Sequence, residues 1–455
     1  MSAGTDQALD QRRGDALIEA AVAQLAATGA TITAFGIAVS GGADSMALMA
    51  LVAGWAKRKG SAAPRLHVVT VDHGLRRDSA SEAEQVAASA RQLGLAHTTL
   101  AWIGEKTATG LQEAARDARY GLLGAFAREH GLAAVLVAHT ADDQAETFLM
   151  RLAHGSGVDG LAAMAVLSRR HGLVLLRPFL DVSKRQLVAT LRAAGMSWIE
   201  DPSNHNVAFE RIRVRQAASA LGAIGLTAGA IGMTAKRLAR ASSALELTTT
   251  QWLGDPTMFT GAEFGFARFD LKPWRASAHD IQVRALGRLL AVIGGQATPI
   301  AMTGIESLVI RLQGANAKGA TLARCVLSID RDELTIVRED GRVDLPSLAL
   351  RPGESALWDN RFVVQWGTKT DRPVEVRALG LDGAKQAVAA DHRPDWLPVG
   401  ALRTLPAFWQ GHCLLAAPNL ARTLLPEMAG AALTGNGTAN ASFLAFPGYR
   451  LPDQA

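Results

Sequence analysis

An apolar run from Phe35 to Val39 ends in Ser40-Gly41-Gly42-Ala43-Asp44-Ser45 and continues as a helical pattern from Met46 to Lys57. Two adjacent glycines let the backbone turn through positive φ and approach a ligand closely, and the following helix offers free N–H groups and the positive end of its dipole. A strand, a tight turn and a helix in that order begin a parallel sheet with crossover helices. The alternation continues to about residue 200. Candidate strands are Phe35–Ser40, Leu66–Asp72, Thr98–Ile103, Ala134–His139 and Val174–Phe179, with helical patterns at Asp15–Thr28, Met46–Lys57, Ser81–Leu93, Leu111–His130, Asp142–Leu152 and Ser183–Ala194. The expected fold class is α/β, a parallel five-stranded sheet with crossover helices. Ligands in such open sheets bind outside the carboxyl ends of the strands, so the residues just after each strand are the informative ones.

With 455 residues the chain is expected to hold more than one domain. After Asp201-Pro202 the sequence turns Ala/Gly/Leu-rich and helical, and short β-like runs follow at Cys325–Ile329 and Leu334–Arg338. The expected division is an α/β domain over 1–215, a mainly helical middle domain over 216–340 and a small α+β C-terminal domain over 346–455. Hydrophobic residues at 49% and charged residues at 20% exclude wholesale disorder. Two isolated cysteines, Cys325 and Cys413, make neither a disulfide framework nor a zinc-ligand spacing, which favours a reducing cytoplasm. The acidic N-terminal stretch lacks the apolar core of a signal peptide, and no run reaches the ~18 apolar residues of a membrane span. A cytoplasmic protein with no membrane association is expected.

The Gly-rich turn has no lysine, so the γ-phosphate clamp of G-x-x-x-x-G-K-[ST] is absent from it. Asp44 sits inside the anion site instead, and would repel phosphate unless a divalent cation lay between them. Taken alone, the motif has a second reading, a tight turn capped by Ser40 or Asp44, though the phosphate reading is favoured. Asp142, Asp143 and Glu146 follow the strand Ala134–His139 at a helix start, with Asp143 and Glu146 three apart and so on one side of that helix. Such a pair can hold Mg²⁺, or hold an ammonium group and later take its proton; acids at a helix N-terminus also serve as caps. Arg116 and Arg119 are likewise three apart on a helix, able to stabilise charge on a phosphate or orient a carboxylate. His73 and His139 are either ligand-facing or satisfied structural histidines. Arg211, Arg213 and Arg215 form a basic segment in a stretch, Asn206 to Ser243, with six basic residues against the single acid Glu210. That pattern suits either a solvated helix face or contact with a phosphate backbone.

Further motifs add to S-G-G-x-D-S: Val71-Asp72-His73-Gly74-Leu75-Arg76, Leu111-Gln112-Glu113-Ala114-Ala115-Arg116 with Arg119-Tyr120, and Ala138-His139-Thr140-Ala141-Asp142-Asp143-Gln144-Ala145-Glu146-Thr147. Arg151-Leu152 with Gly155-Ser156-Gly157, Arg177-Pro178-Phe179-Leu180 and Asp201-Pro202-Ser203-Asn204 complete the series. In this order they resemble the tRNA(Ile)-lysidine synthetases, members of the N-type ATP pyrophosphatases with the adenine nucleotide alpha hydrolase-like fold. His154 stands where that family's R-G-S-G run has Arg. The resemblance implies ATP-dependent attachment of free L-lysine to C2 of the wobble cytidine of isoleucine tRNA with a CAU anticodon, through an adenylated cytidine, without an obligate protein partner. It implies ATP binding by Ser40, Gly41, Gly42, Ala43, Asp44, Ser45, Asp72, His73 and His139, and Mg²⁺ at Asp44 and Asp143. Catalysis would fall to Asp143, Glu146, Arg116 and Arg119, and tRNA contact to Asn204, Arg211, Arg213 and Arg215, with 346–455 a tRNA-binding domain by analogy. Two rivals are a pyrophosphate-loop tRNA thiolase, which would need a persulfide carrier or cluster, and a non-catalytic tRNA-binding protein.

Overall fold

The computed structural model describes residues 7–74, 79–103, 111–170, 172–200, 210–255, 260–314, 317–341, 344–367, 372–387, 395–421 and 439–443. The chain divides into two compact units that part between Ser242 and Ser243. The first contains α1 (Gln11–Ala26), β1 (Ala34–Ala38), α2 (Ala43–Lys59), β2 (Arg65–Asp72), α3 (Ser79–Gln92), β3 (Ala96–Ala101), α4 (Leu111–Glu129) and β4 (Ala134–Leu136). It continues through α5 (Ala141–Ala153), α6 (Val158–Leu161), β5 (Leu167–Arg170), β6 (Leu173–Leu176), α7 (Lys184–Ala193), α8 (Glu210–Ala223) and the start of α9 (Ala228–Gly254).

The sheet runs β3-β2-β1-β4-β6-β5. Its first five members are parallel and correspond to the five strands expected from sequence. The expectation of five strands needs one correction, because β5 pairs antiparallel with β6 and closes the edge as a sixth. Its residues, Leu-Ser-Arg-Arg, are polar enough to suit an exposed edge and too polar to stand out as a buried strand. Alternation along the parallel strands feeds two cores. Phe35, Ile37, Val68, Leu136 and Leu176 join the face covered by α1, α2, α3 and α7. Val69, Val135 and Leu175 join Tyr120, Leu123 and Phe126 of α4 on the other face. Phe148 and Ala145 of α5 form a smaller cluster with Ile231 and Ala235 of α9. Among the described residues no single helix is long and apolar enough to cross a membrane.

Among its described residues the second unit shows two further cores. In one, β7 (Ala267–Asp270), α10 (Leu271–Ala276), α11 (His279–Ile293) and α12 (Met302–Gln313) pack with β8 (Ala320–Leu322), β9 (Cys325–Asp330) and β10 (Glu333–Arg338). The four strands form an antiparallel sheet, β7-β10-β9-β8, so this stretch carries more strand than its helical sequence pattern suggests. The other core gathers Trp358, Phe362, Val376 and Phe408 from small antiparallel sheets within 348–443, with short helices at Gly380–Ala387 and Val399–Arg403. That end is the small α+β body expected.

The turn after β1 depends on Gly41. Its φ is 88°, and a Cβ there would lie 2.6 Å from Ile199 Cδ1, while its carbonyl accepts the Ile199 N–H at 2.9 Å. Gly41→Ala is therefore expected to destabilise the first unit by roughly 1–3 kcal/mol through backbone strain and collision. Thermal unfolding of Gly41→Ala with and without Ile199→Ala checks this. The second substitution should relieve only part of the loss, and full recovery would show that φ carries no cost.

Candidate active site

Strand order reverses at β1, from which β2 and β3 run one way and β4 and β6 the other. The crevice outside the carboxyl ends of β1 and β4 is therefore the topological switch point, where open α/β sheets bind ligands. The loops that enter it are Ser40–Gly42 and Val137–Thr140. In the first, Ser45 Oγ donates to Gly42 O at 2.9 Å and accepts from Ser40 N at 3.2 Å, so its hydroxyl braces the turn from within. Gly42 caps α2 with no side-chain hydrogen bond, which leaves the first N–H groups of that helix without a side-chain acceptor.

Asp44 lies in the first turn of α2. Its Oδ2 is 3.3 Å from Lys184 Nζ, and its Oδ1 is buried with no hydrogen-bond partner. Burial raises its pKa; Lys184 opposes the shift, and Asp143 and Asp142 add to it. The turn thus holds a partly compensated negative charge with two further carboxylates in electrostatic reach. Lys184 is a residue the motif reading missed. It comes from the start of α7, capped by Ser183, and its backbone N–H donates to Asp142 Oδ2 at 2.7 Å. A cation at a helix N-terminus works against the dipole, and that local anomaly at Ser183-Lys184 is the signal sequence offers for it.

In the second loop, Thr140 caps α5. Asp143 Oδ2 accepts from Thr140 N and Oγ1, both at 2.9 Å, and Thr140 Oγ1 accepts from Asp143 N at 3.3 Å. Asp143 is thus a capping-box residue as well as an acid at the crevice. Glu146, one turn on, is 6% exposed. Its Oε1 accepts from Arg215 Nε at 2.7 Å, and Oε2 is 3.2 Å from Arg211 Nε without hydrogen-bond geometry. The hydrogen bond to Glu146 raises the pKa of Arg215, with Glu146, Asp143 and Asp44 adding by charge. Arg211 and Arg215 therefore both pair with Glu146 of α5, with 35% and 37% of their side chains still exposed, and Arg213, two residues from each, is exposed. Asn204 lies outside the described residues. His154 Nε2 meets Glu210 Oε1 at 3.0 Å, a further tie between α5 and α8.

The remaining expected residues are spread more widely. Asp72 Oδ1 accepts from Gly74 N at 2.7 Å, and the His73 ring meets Trp102 edge-on at 6.0 Å, both at the β2 and β3 end of the crevice. Arg116 lies over the Tyr120 ring at 5.7 Å, and its charge reaches His139 and Arg177; Arg119 is exposed on the same helix. His139 Nδ1 accepts from Arg177 Nε at 3.1 Å. Burial, then Arg177, pushes the His139 pKa down to about 3.

A family model described as a PP-loop domain matches residues 15–220. A tRNA(Ile)-lysidine synthase of Ruegeria pomeroyi is 39% identical over 383 residues, 84% of this chain and 88% of that protein. The chain belongs to the tRNA(Ile)-lysidine synthase family. A Bradyrhizobium member of the family is 44% identical over 66% of this chain and 88% of its own length. A Methylobacterium member is 53% identical over 209 residues, 46% of this chain and 59% of its own. A U34-tRNA thiolase of Methanococcus maripaludis aligns with 52% of this chain and 86% of its own at 14% identity and a TM-score of 0.41, too remote to bear on function.

Asp44 also generates a pH prediction. Its folded pKa lies above its ordinary value of 3.8, so its contribution to stability is fullest below that value and is lost as pH rises through the folded pKa. Asp44→Asn removes the ionisation cost and should be more stable than the parent at neutral pH, with the gain vanishing on acidification below about pH 4. Urea unfolding across that range checks it; a pH-independent difference would contradict the assignment.

Proposed function

We propose that the protein joins free L-lysine to C2 of the wobble cytidine of isoleucine tRNA carrying a CAU anticodon, using ATP and forming lysidine. The observation that carries this reading is the meeting of Asp44, Lys184, Asp142 and Asp143 at the switch point of a lysidine-synthase-family sheet. In the first step the cytidine O2 bonds to the α-phosphorus of ATP and the bond to pyrophosphate breaks. In the second the ε-amine of lysine bonds to C2, AMP leaves, and the amine gives up a proton.

The free N–H groups at the start of α2 suit the departing pyrophosphate, and Lys184 supplies from α7 the cation that the turn lacks. The orphaned Oδ1 of Asp44, with Asp143 nearby, fits one face of a divalent ion. Among the described residues no three His, Cys, Asp or Glu side chains gather to hold a metal alone, so phosphate oxygens would complete its shell. When bound, Mg²⁺ neutralises charge on the leaving pyrophosphate. Asp143 and Glu146 are the proposed seat for the lysine ammonium, whose ordinary pKa of about 10.4 requires a proton acceptor before attack. Glu146 is already bracketed by Arg211 and Arg215, so seating the amine would displace one guanidinium. Arg116, with its charge directed at the His139 side, is better placed than Arg119 to meet substrate charge. Arg213 and the 346–455 region are proposed to contact tRNA, and the cytoplasm is the proposed location. A thiolase reading gains nothing from Cys325, whose buried thiol has its pKa pushed up to about 12.

Incubation with ATP, lysine and CAU-anticodon tRNA, followed by mass spectrometry of the wobble nucleoside, should yield lysidine; unchanged cytidine or a thiolated base would overturn the proposal. Two variants should separate the steps. Lys184→Met should raise the KM for ATP at least ~10-fold with Lys184→Arg largely retaining it, because the loss is of a phosphate-directed charge. Glu146→Gln should raise the KM for lysine by about as much and let adenylated tRNA accumulate. Unchanged lysine saturation in Glu146→Gln would leave that residue as the anchor of α8.

A further inference from the structure

Arg177 opens the Arg177-Pro178-Phe179-Leu180 motif, which the chemistry above leaves without a task. It directly follows β6, is 4% exposed, and spreads its guanidinium over three acceptors. Nε donates to His139 Nδ1 at 3.1 Å, and Nη1 donates to Ala165 O at 3.0 Å and to Ser168 Oγ at 2.8 Å. Its main-chain N–H donates to Val166 O at 2.8 Å, so the residue is tied to the β5 side of the sheet at both ends. A guanidinium can only donate. His139 Nδ1 must therefore be the bare nitrogen, and the neutral ring carries its proton on Nε2. That Nε2–H has no protein acceptor among the described residues.

We propose that Arg177 is a positioning residue for the adenylation step, holding His139 so that Nε2–H is the edge offered to the α-phosphate in the crevice between β1 and β4. The inference rests on the ATP reading of that crevice. As the cytidine oxygen bonds to phosphorus and pyrophosphate departs, charge gathers on the non-bridging oxygens of the α-phosphate. A donor fixed beforehand stabilises that charge without reorganising. A ring free to turn would present the Nδ1 lone pair, which repels a phosphate oxygen, or would pick up a proton. Four charged groups face the ring: Arg177 beside β6, Asp143 on α5, Arg211 on α8 and Arg116 on α4. Three are cationic, and Arg177 is the one in contact with it.

The test uses the full chain with nitrogen-15-labelled histidine, following imidazole shifts from about pH 5.5 to 8, where an ordinary histidine titrates. The His139 signal is identified by its loss in His139→Gln. In the parent it should stay neutral and Nε2-protonated throughout. In Arg177→Gln the ring should lose that fixed tautomer, its two nitrogen shifts converging as the Nδ1-protonated form becomes populated, or should take up a proton within the range. Pyrophosphate release from ATP with CAU-anticodon tRNA should fall at least ~10-fold in Arg177→Gln, while ATP binding changes little. Ser168→Ala, which removes one anchor of the guanidinium and none of the core, should shift His139 the same way by less and decides the matter if Arg177→Gln fails to fold. His139→Gln keeps an amide donor near the Nε2 position but has no Nδ1, so adding Arg177→Gln to it should cost no more than about twofold. An unmoved His139 signal in both Arg177→Gln and Ser168→Ala, or losses that multiply in the double variant, overturns the proposal. Full pyrophosphate release in His139→Ala also overturns it, yet leaves the ATP reading standing if Asp44→Asn is inactive; failure of ATP to bind the parent at all would instead remove that reading.

Discussion

Asp44 carries a negative charge into a turn whose free N–H groups and helix dipole favour anions, and burial beside Asp142 and Asp143 makes that charge costly to hold. The surrounding structure is arranged around this conflict. Lys184 reaches in from α7 to offset part of it, and the Lys184 backbone N–H ties Asp142 to the same corner. One oxygen of Asp44 nevertheless stays buried and unpartnered. Sites of this kind are destabilised when empty and gain stability on binding a cation together with an anion, which is the form in which ATP arrives.

The second charged assembly works differently. Glu146 is buried, and α8 supplies two guanidinium groups to it. Here the carboxylate is compensated within the protein, and the contacts fasten α8 to α5 beside the crevice. An amine substrate at Glu146 would exchange one cation for another, keeping the buried charge paired at each stage. The buried Arg338–Asp359–Arg361 group in the second unit is a purely internal counterpart: Asp359 Oδ2 lies 3.1 Å from Arg338 Nε and 2.6 Å from Arg361 Nε. Burial lowers the Arg361 pKa to about 10, so the guanidinium stays charged at neutral pH.

Much of the α/β architecture was legible because two-residue alternation and glycine punctuation are local properties. Phe35, Ile37, Val135 and Leu175 declare their faces by position in a strand, and Gly41 declares a turn. β5 was not legible, because Arg169 and Arg170 on an edge strand look like loop residues until β6 pairs with them. At the site, Asp44 and Asp143 stood out because an acid in an anion-binding turn, or one three residues before Glu146 at a helix start, is chemically informative by itself. Lys184 and Arg177 act across more than thirty residues of chain, on Asp44 and His139 respectively, and only the strand order brings them there. The pairing of Arg211 and Arg215 with Glu146 was hidden for the same reason, since a basic segment reads alike whether or not a buried glutamate lies beneath it.

The central claim is that nucleotide and cation meet at the switch point, with the cation on the unpartnered oxygen of Asp44. Diffraction from crystals soaked with a non-hydrolysable ATP analogue and Mn²⁺, read at the manganese absorption edge, tests this most directly. The account predicts one anomalous peak beside Asp44, with the triphosphate over the start of α2, and no peak in Asp44→Asn. A peak that persists in Asp44→Asn, or a triphosphate bound away from the β1 and β4 loops, would contradict it.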